Sequence, residues 1–593
     1  MLRDRFLLSL LAVHVFLLAF AAISKSPANH EAAQLPAGLI HWKFQQFDVA
    51  AVNPPLVRMV AAIPVSLMRP LVTWRHVYGR IDYHAEYAAC QDFISQNGER
   101  SINFYIAGRF ACIPFSLIGA CACYQWAREL FNRDAGLVAA SLWCFSPSVL
   151  GEGSLITSDV AAAAFGLMTT YQFCKYLSHP GWANAVLLGI STGLSISTKF
   201  TWLVVLPIVF APFFVVRFFH WNCSLRQVAL ACGHMSCVIC MATFLLNAAY
   251  GFCQSPTKLG DMEFVSKALT RPGEDQYATM TTRVNRFRGT WLEELMVPVP
   301  SAVLKGIDVQ KRDFELDFPS YLMGKWKHGG WWYFYLIAFC VKSPESFVLL
   351  LFVGVCVVWK RYRPAYASMM LLYAPAVILA FVCLQTGINQ HMRYILPALP
   401  FGFVAASSVV TLSRKWKPVY LSLLVFQVVS VIACAPHWTS YFNISAGGPA
   451  NGPYWLLHSN VDAGQDLLIL KRWQDDNLAA EKLYVASSTF YDPRDIGIEF
   501  ELPPPFIAGR PDITSKTGHR GPQAGWYAMS VAQIFGQNIP TADGHGGRIE
   551  SDGHFTYFKY FRPTTMCGYS IIVYHITEEQ ASAVRGELTA MER

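Results

Sequence analysis

Five ionisable residues stand where apolar helices should not carry them: Arg109, Asp159, Lys199, Lys342 and Arg393. A charge inside a bilayer costs about 2.5–3.5 kcal/mol on insertion scales, so such groups usually face a cavity or a partner. Four cations with one carboxylate make an electropositive pocket suited to an anionic headgroup such as a lipid phosphate. A single Lys or Arg near a helix end more often reaches for headgroups, and that is the reading for Arg109 or Lys342 taken alone; the clustering of the set favours a pocket. A second feature is Asn29-His30-Glu31, directly after the first apolar run. His30-Glu31-Ala32-Ala33-Gln34 has the outline of the zinc-protease motif H-E-x-x-H, but Gln34 cannot supply the second imidazole. A carboxylate beside a cationic pocket can instead act as a general base toward an attacking hydroxyl. Without the pocket, Glu31 reads as a solvated loop residue.

For these residues to meet, their helices must present them at one leaflet. The chain has 593 residues, 53% hydrophobic and 15% charged, with a mean hydropathy of +0.31. A soluble globular protein carries roughly 25% charged residues. The same composition excludes a disordered chain, a coiled coil and a small disulfide scaffold. Eleven apolar runs, at 6–24, 104–125, 135–150, 159–174, 183–198, 200–216, 227–250, 342–359, 364–386, 394–412 and 418–436, read as membrane spans. With Arg3 and Arg5 in the cytoplasm, every even-numbered connection is cytoplasmic and basic: Arg128 and Arg133, Lys175, Arg217 and Arg226, Lys360, Arg361 and Arg363, then Arg414, Lys415 and Lys417. The net charge of +8 is therefore orientation chemistry and no nucleic-acid signal.

The opposite face receives the long loops 25–103 and 251–341 and the tail 437–593, and with them all five intramembrane charges. Lys342 follows the aromatic run 331–339, which reads as an interfacial segment. The first run also has the flanks of a cleaved signal sequence; the 25–103 loop lies outside in either case. Most cysteines fall in apolar segments, and Cys237 with Cys240 reads as packing rather than redox or zinc chemistry.

The tail changes character. Alternating runs at 482–487, 525–531 and 569–576 read as strands, and 464–473 has the spacing of an amphipathic helix. This predicts a polytopic α-helical membrane protein: residues 1–436 form the membrane domain, and 437–593 a small extracytoplasmic α/β domain after a Gly/Pro/Asn-rich lead-in at 447–453.

The order of motifs resembles the polyprenyl-phosphate-dependent glycosyltransferases of the GT-C fold, family 39, which includes protein O-mannosyltransferases and the aminoarabinose transferase acting on lipid A. The stretches that carry the resemblance begin with His30-Glu31, Asn53-Pro54-Pro55-Leu56, Ala107-Gly108-Arg109-Phe110, Ser146-Pro147, Ile156-Thr157-Ser158-Asp159 and Thr198-Lys199-Phe200. They continue with Tyr321-Leu322-Met323-Gly324, Gly330-Trp331-Trp332-Tyr333, Lys342-Ser343-Pro344, Arg393-Tyr394-Ile395-Leu396-Pro397, Tyr441-Phe442-Asn443 and Ser459-Asn460-Val461-Asp462-Ala463-Gly464-Gln465-Asp466. The segment 447–466 looks most like a bacterial subgroup.

The resemblance implies a GT-C membrane domain and transfer of a sugar, with inversion, from a polyprenyl-phosphate donor to a hydroxyl of a protein, lipid or glycan. Its phosphate would be held by Arg109, Lys199 and Arg393 with Lys342, and Asn53 and Tyr394 would line the donor or acceptor pocket. In the family an Asp-Glu pair in the first outer loop is thought to carry catalysis. Here His30 stands in the Asp position and Glu31 alone is retained, so Glu31 is the expected base, with His30 or Asp159 beside it. A divalent metal on Asp159 and Glu31 would be compatible, although no ligand spacing demands one. Tyr321, Trp331, Trp332 and Tyr333 read as interfacial anchors before sugar-stacking groups, and Asp462 and Asp466 as structural. The expected location is a bacterial inner membrane, the N-terminus cytoplasmic and the tail extracytoplasmic. Two other classes remain open: a flippase or transporter of an anionic polyprenyl lipid, which the absence of an internal repeat disfavours, and a non-catalytic relative that binds the lipid-linked sugar.

Overall fold

Helix ends and helix breaks decide where the charged residues lie. In the computed structural model of this chain, the structure describes residues 4–590 and 592, apart from 80–83, 221–224, 273–282, 363–364, 479–480, 516–517 and 545–546, and apart from the side chains of 217–220 and 386. Arg3, Arg363 and the side chain of Arg217, used above for orientation, lie outside the described residues.

Among the described residues, six helices are long and apolar enough to cross a membrane: Arg5–Ser24, Arg100–Leu130, Leu225–Ala249, Tyr366–Cys383, Met392–Thr411 and Arg414–Ile432. Phe334–Lys342 and Glu345–Tyr362 are long and apolar enough only together, and they are bent by 115° at the break between them. The break falls at Ser343-Pro344, where proline lacks the N–H for the helical ladder and forces its predecessor into extended backbone. The remaining positions read as spans hold Arg133–Cys144, Asp159–Ser178, Trp182–Ile196 and Thr201–His220. The protein is a polytopic α-helical membrane protein with a sheet-containing C-terminal part.

Small residues let these helices pack closely. A Cβ at Gly119 would lie 2.1 Å from the ring of Trp143, which seats Arg133–Cys144 against Arg100–Leu130. The same device joins the two long loops: a Cβ at Gly306 would come within 2.1 Å of Ala51 O, so helix Ser301–Glu315 lies directly on the first loop. That loop is itself mostly helical, with Asn29–Ala32, Gln34–Phe44, Leu56–Leu67 and Glu86–Asn97.

In the tail, strands Thr565–Cys567, Ile571–Ile576, Gly525–Ser530 and Leu483–Ala486 form one mixed sheet in that spatial order. The first two pairings are antiparallel and the last is parallel. Side chains alternate between faces as a strand requires. Ala528 and Val573 pack with Leu467 and Leu470 of helix Leu467–Asn477 onto Leu35, Val57 and Phe104, whereas Tyr527, Met529 and Tyr574 face Phe555, Phe558 and Leu588. The sheet is thus docked on the first loop and the head of helix Arg100–Leu130.

Candidate active site

Asp159 opens helix Asp159–Ser178, where the helix dipole favours a carboxylate. Lys199 follows the end of Trp182–Ile196, and its Nζ donates to Asp159 Oδ1 at 2.6 Å. Arg393 brings Nε to 3.8 Å from Asp159 Oδ2. Both cations flank the ring of Tyr394, with Lys199 Nζ 5.3 Å and Arg393 Cζ 5.9 Å from its centroid, within the range of cation–π attraction. These four residues line one cavity of about 150 Å³ together with His30 and Asn53. The buried Arg58 shapes the wall on that side by donating to Asn53 O at 2.7 Å and Gln34 Oε1 at 3.0 Å.

His30 has its Nε2 3.4 Å from Glu152 Oε2, and neither ring nitrogen makes a well-aligned hydrogen bond among the described residues. A neutral imidazole in this position has a lone pair to offer. The cavity is completed by a carboxylate that was not singled out from sequence. Asp313, on helix Ser301–Glu315, lines it and accepts from His84 Nε2 at 3.2 Å and Arg312 Nη2 at 3.1 Å. His84 also meets Glu86 Oε1 at 3.0 Å within the first loop, and its contact with Asp313 ties that loop to the second. Its hydrogen bonds to Asp313 and Glu86 push its pKa up to about 10. A folded-state value above the ordinary one near 6.5 means that protonated His84 stabilises the loops fully below about pH 6.5 and loses that effect as pH rises through about 10. Between those limits the native protein should lose more thermal stability than His84→Gln; parallel melting curves would show that His84 contributes no such linkage.

Three of the expected site residues lie away from the cavity lining. Glu31 is fully buried outside the cavity lining. Its oxygens accept from Ala28 N at 2.9 Å, Ile156 N at 2.9 Å and both Nε and Nη2 of Arg109. Arg109 is equally committed. Besides Glu31 it donates to Ala22 O at 2.7 Å, Lys25 O at 2.8 Å and Ser26 O at 2.9 Å, so its N–H groups are shared between the Glu31 carboxylate and the backbone at the end of the first helix. Lys342 is buried against the start of the tail, donating to Thr439 O at 2.7 Å and to Asn460 O, over the ring of Phe442, and it does not line the cavity.

The pair named for a divalent ion does not fit either, because Glu31 is locked to Arg109 and Asp159 to Lys199. Among the described residues, no three His, Cys, Asp or Glu side chains are grouped as metal ligands. Glu152 escaped the sequence reading because the third apolar run was drawn to end at 150. An acid next to an apolar run is the same signal that picked out Asp159.

Residues 103–246 match the family model described as dolichyl-phosphate-mannose-protein mannosyltransferase. No curated protein matches the sequence. Among solved structures, ArnT from Cupriavidus metallidurans in the apo state is 12% identical with a TM-score of 0.44, over 97% of this chain and 98% of that one. The same protein bound to undecaprenyl phosphate gives 10% and 0.46, over 95% and 97%. The oligosaccharyltransferase AglB from Archaeoglobus fulgidus, in complex with an inhibitory peptide and a dolichol-phosphate, gives 10% and 0.42, over 94% and 78%. The resemblance to polyprenyl-phosphate-dependent glycosyltransferases read from the motifs is borne out by the family model, which matches the stretch that contains Arg109, Asp159 and Lys199.

Proposed function

We propose that the protein is an integral-membrane glycosyltransferase that moves a sugar from a polyprenyl-phosphate donor to an acceptor hydroxyl. The observation that carries this reading is the convergence of Lys199, Asp159 and the adjacent Arg393 and Tyr394, from three separate stretches of the chain, on one cavity that His30 also lines. Two fixed cations facing one carboxylate leave a net positive seat for a phosphate. In this reading Lys199 and Arg393 hold the donor phosphate, and their charge stabilises the negative charge that grows on the leaving oxygen.

His30 takes the place first expected of Glu31. In this reading Glu152 sits beside Nε2 of the imidazole, and Nδ1 accepts the proton of the acceptor hydroxyl. The acceptor oxygen forms its bond to the anomeric carbon as the carbon–oxygen bond to phosphate breaks. The electron pair departs on polyprenyl phosphate, and one displacement inverts the anomeric centre. Asp313 stands across the cavity lining as a second carboxylate able to orient the acceptor.

The cavity then belongs to the outward face of a bacterial inner membrane, with residues 1–436 as the membrane domain, the N-terminus in the cytoplasm and 437–593 as an extracytoplasmic domain. The sugar is hexose-like and the acceptor a protein, lipid or glycan of the cell envelope. Purified protein in liposomes, given a labelled polyprenyl-phosphate sugar and envelope acceptors, should release polyprenyl phosphate as the sugar appears on an acceptor. Transfer of the intact donor across the bilayer would instead favour a flippase, and binding without cleavage a non-catalytic relative.

A further inference from the structure

Ser459 and Asn460, with His458 before them, open a motif that the cavity itself does not use, since none of the three lines it. They form a single 3-10 turn, and His458 holds φ at +57°, a left-handed value that non-glycine residues seldom adopt. The turn is fastened to the tail from one side: Gln537 accepts from His458 N at 3.3 Å and meets its Nδ1 at 2.8 Å.

On its other side the turn grips residues 390–393. Asn460 accepts from Met392 N at 2.8 Å and donates to Gln390 O at 2.6 Å. Ser459 Oγ lies 2.7 Å from His391 Nδ1 and accepts from Arg393 Nη1 at 3.1 Å. Burial and the neighbouring Arg393 charge hold the His391 imidazole neutral, with its pKa well below the ordinary range. Its Nδ1 can therefore accept the Ser459 proton, which leaves the hydroxyl lone pairs aimed at the guanidinium. Apart from Ser459, Arg393 has only the 3.8 Å approach to Asp159 and the face of Tyr394 among the contacts described above.

We infer that Ser459 is a positioning residue for Arg393: its hydroxyl, oriented by His391 and carried on a turn anchored to the tail, aims the guanidinium into the cavity where a lipid-linked phosphate would sit. The last clause rests on the proposed function; the aiming of Arg393 does not. The C-terminal domain thereby completes the site without contributing a lining residue.

The two parts can be tested separately in the intact protein. The first readout is the rate at which phenylglyoxal modifies Arg393, followed by mass spectrometry of the peptide. Ser459→Ala should raise that rate several-fold and Ser459→Thr should return it to the native value, with melting temperatures unchanged. The second is donor kinetics. Ser459→Ala should lower kcat/KM for a polyprenyl-phosphate sugar about ten-fold, as expected for a lost hydrogen bond to a charged group, and it should add nothing in an Arg393→Ala background. An unchanged modification rate, or no rescue by threonine, would overturn the inference. A raised and rescued rate in a protein that neither binds nor cleaves any polyprenyl-phosphate donor would leave the positioning role standing and remove the glycosyltransferase reading.

Discussion

Arg393→Ala should lower kcat/KM for a polyprenyl-phosphate sugar by about 10²–10³-fold, the usual cost of removing one preorganised donor from a developing oxyanion, and should leave the melting temperature close to native. The expectation of an intact fold comes from how little else depends on this side chain. It is no closer than 3.8 Å to Asp159, whose charge is already answered by Lys199 at 2.6 Å. Truncation also opens onto the cavity, and it takes a donor only from the Ser459 hydroxyl, which keeps its contact with His391. Arg393→Lys should recover only part of the loss, because an ammonium keeps the charge but cannot grip a phosphate with two parallel N–H groups. Lys199→Ala is the instructive contrast. It leaves the buried Asp159 carboxylate without its close cation, so stability and turnover should fall together. Isothermal titration with polyprenyl phosphate, alongside turnover, separates the two variants. Native donor affinity in Arg393→Ala would take Arg393 out of the phosphate seat.

The contrast between Arg393 and Arg109 shows how far the sequence could be read. An ionisable group in an apolar helix announces that something compensates it, and Asp159, Lys199 and Arg393 do meet in one cavity. Insertion cost alone cannot say what the compensating partner is. Beyond the Glu31 carboxylate that pairs with Arg109, the partners are backbone carbonyls at helix ends and turns, Ala22, Lys25 and Ser26 for Arg109 and Thr439 and Asn460 for Lys342. Those acceptors become available only once the chain has folded, and they carry no side-chain signature. Asp313 and His84 were invisible for the opposite reason. Charged residues in long loops look solvated, and only the close seating of helix Ser301–Glu315 on the first loop, permitted by Gly306, carries Asp313 to the cavity.

In the tail, alternation exposed the strands, and the observed Leu483–Ala486, Gly525–Ser530 and Ile571–Ile576 match the runs read at 482–487, 525–531 and 569–576. The docking of that sheet on the first loop was not legible. Apolar residues such as Val573 and Leu470 would look the same facing any core.

The same distinction sets the second large effect, at Glu31. The carboxylate and Arg109 are both essentially inaccessible, and each answers the other's charge. Breaking a buried pair by removing one partner typically costs about 3–5 kcal/mol, because the remaining charge is left uncompensated. Glu31→Gln and Arg109→Ala should therefore each lower the yield of folded protein and its melting temperature, with any loss of turnover following from that. Replacing the pair together, as in Glu31→Gln with Arg109→Met, should recover part of the stability, since no isolated charge remains in the interior. Recovery should be incomplete, because Ala22 O, Lys25 O and Ser26 O lose the donors that now close the end of the first helix. Thermal unfolding in detergent across the three variants measures this directly. A Glu31→Gln protein that melts like the native one, binds donor normally and yet fails to turn over would mean that the carboxylate takes part in the chemistry after all, and would return the base role from His30 to Glu31.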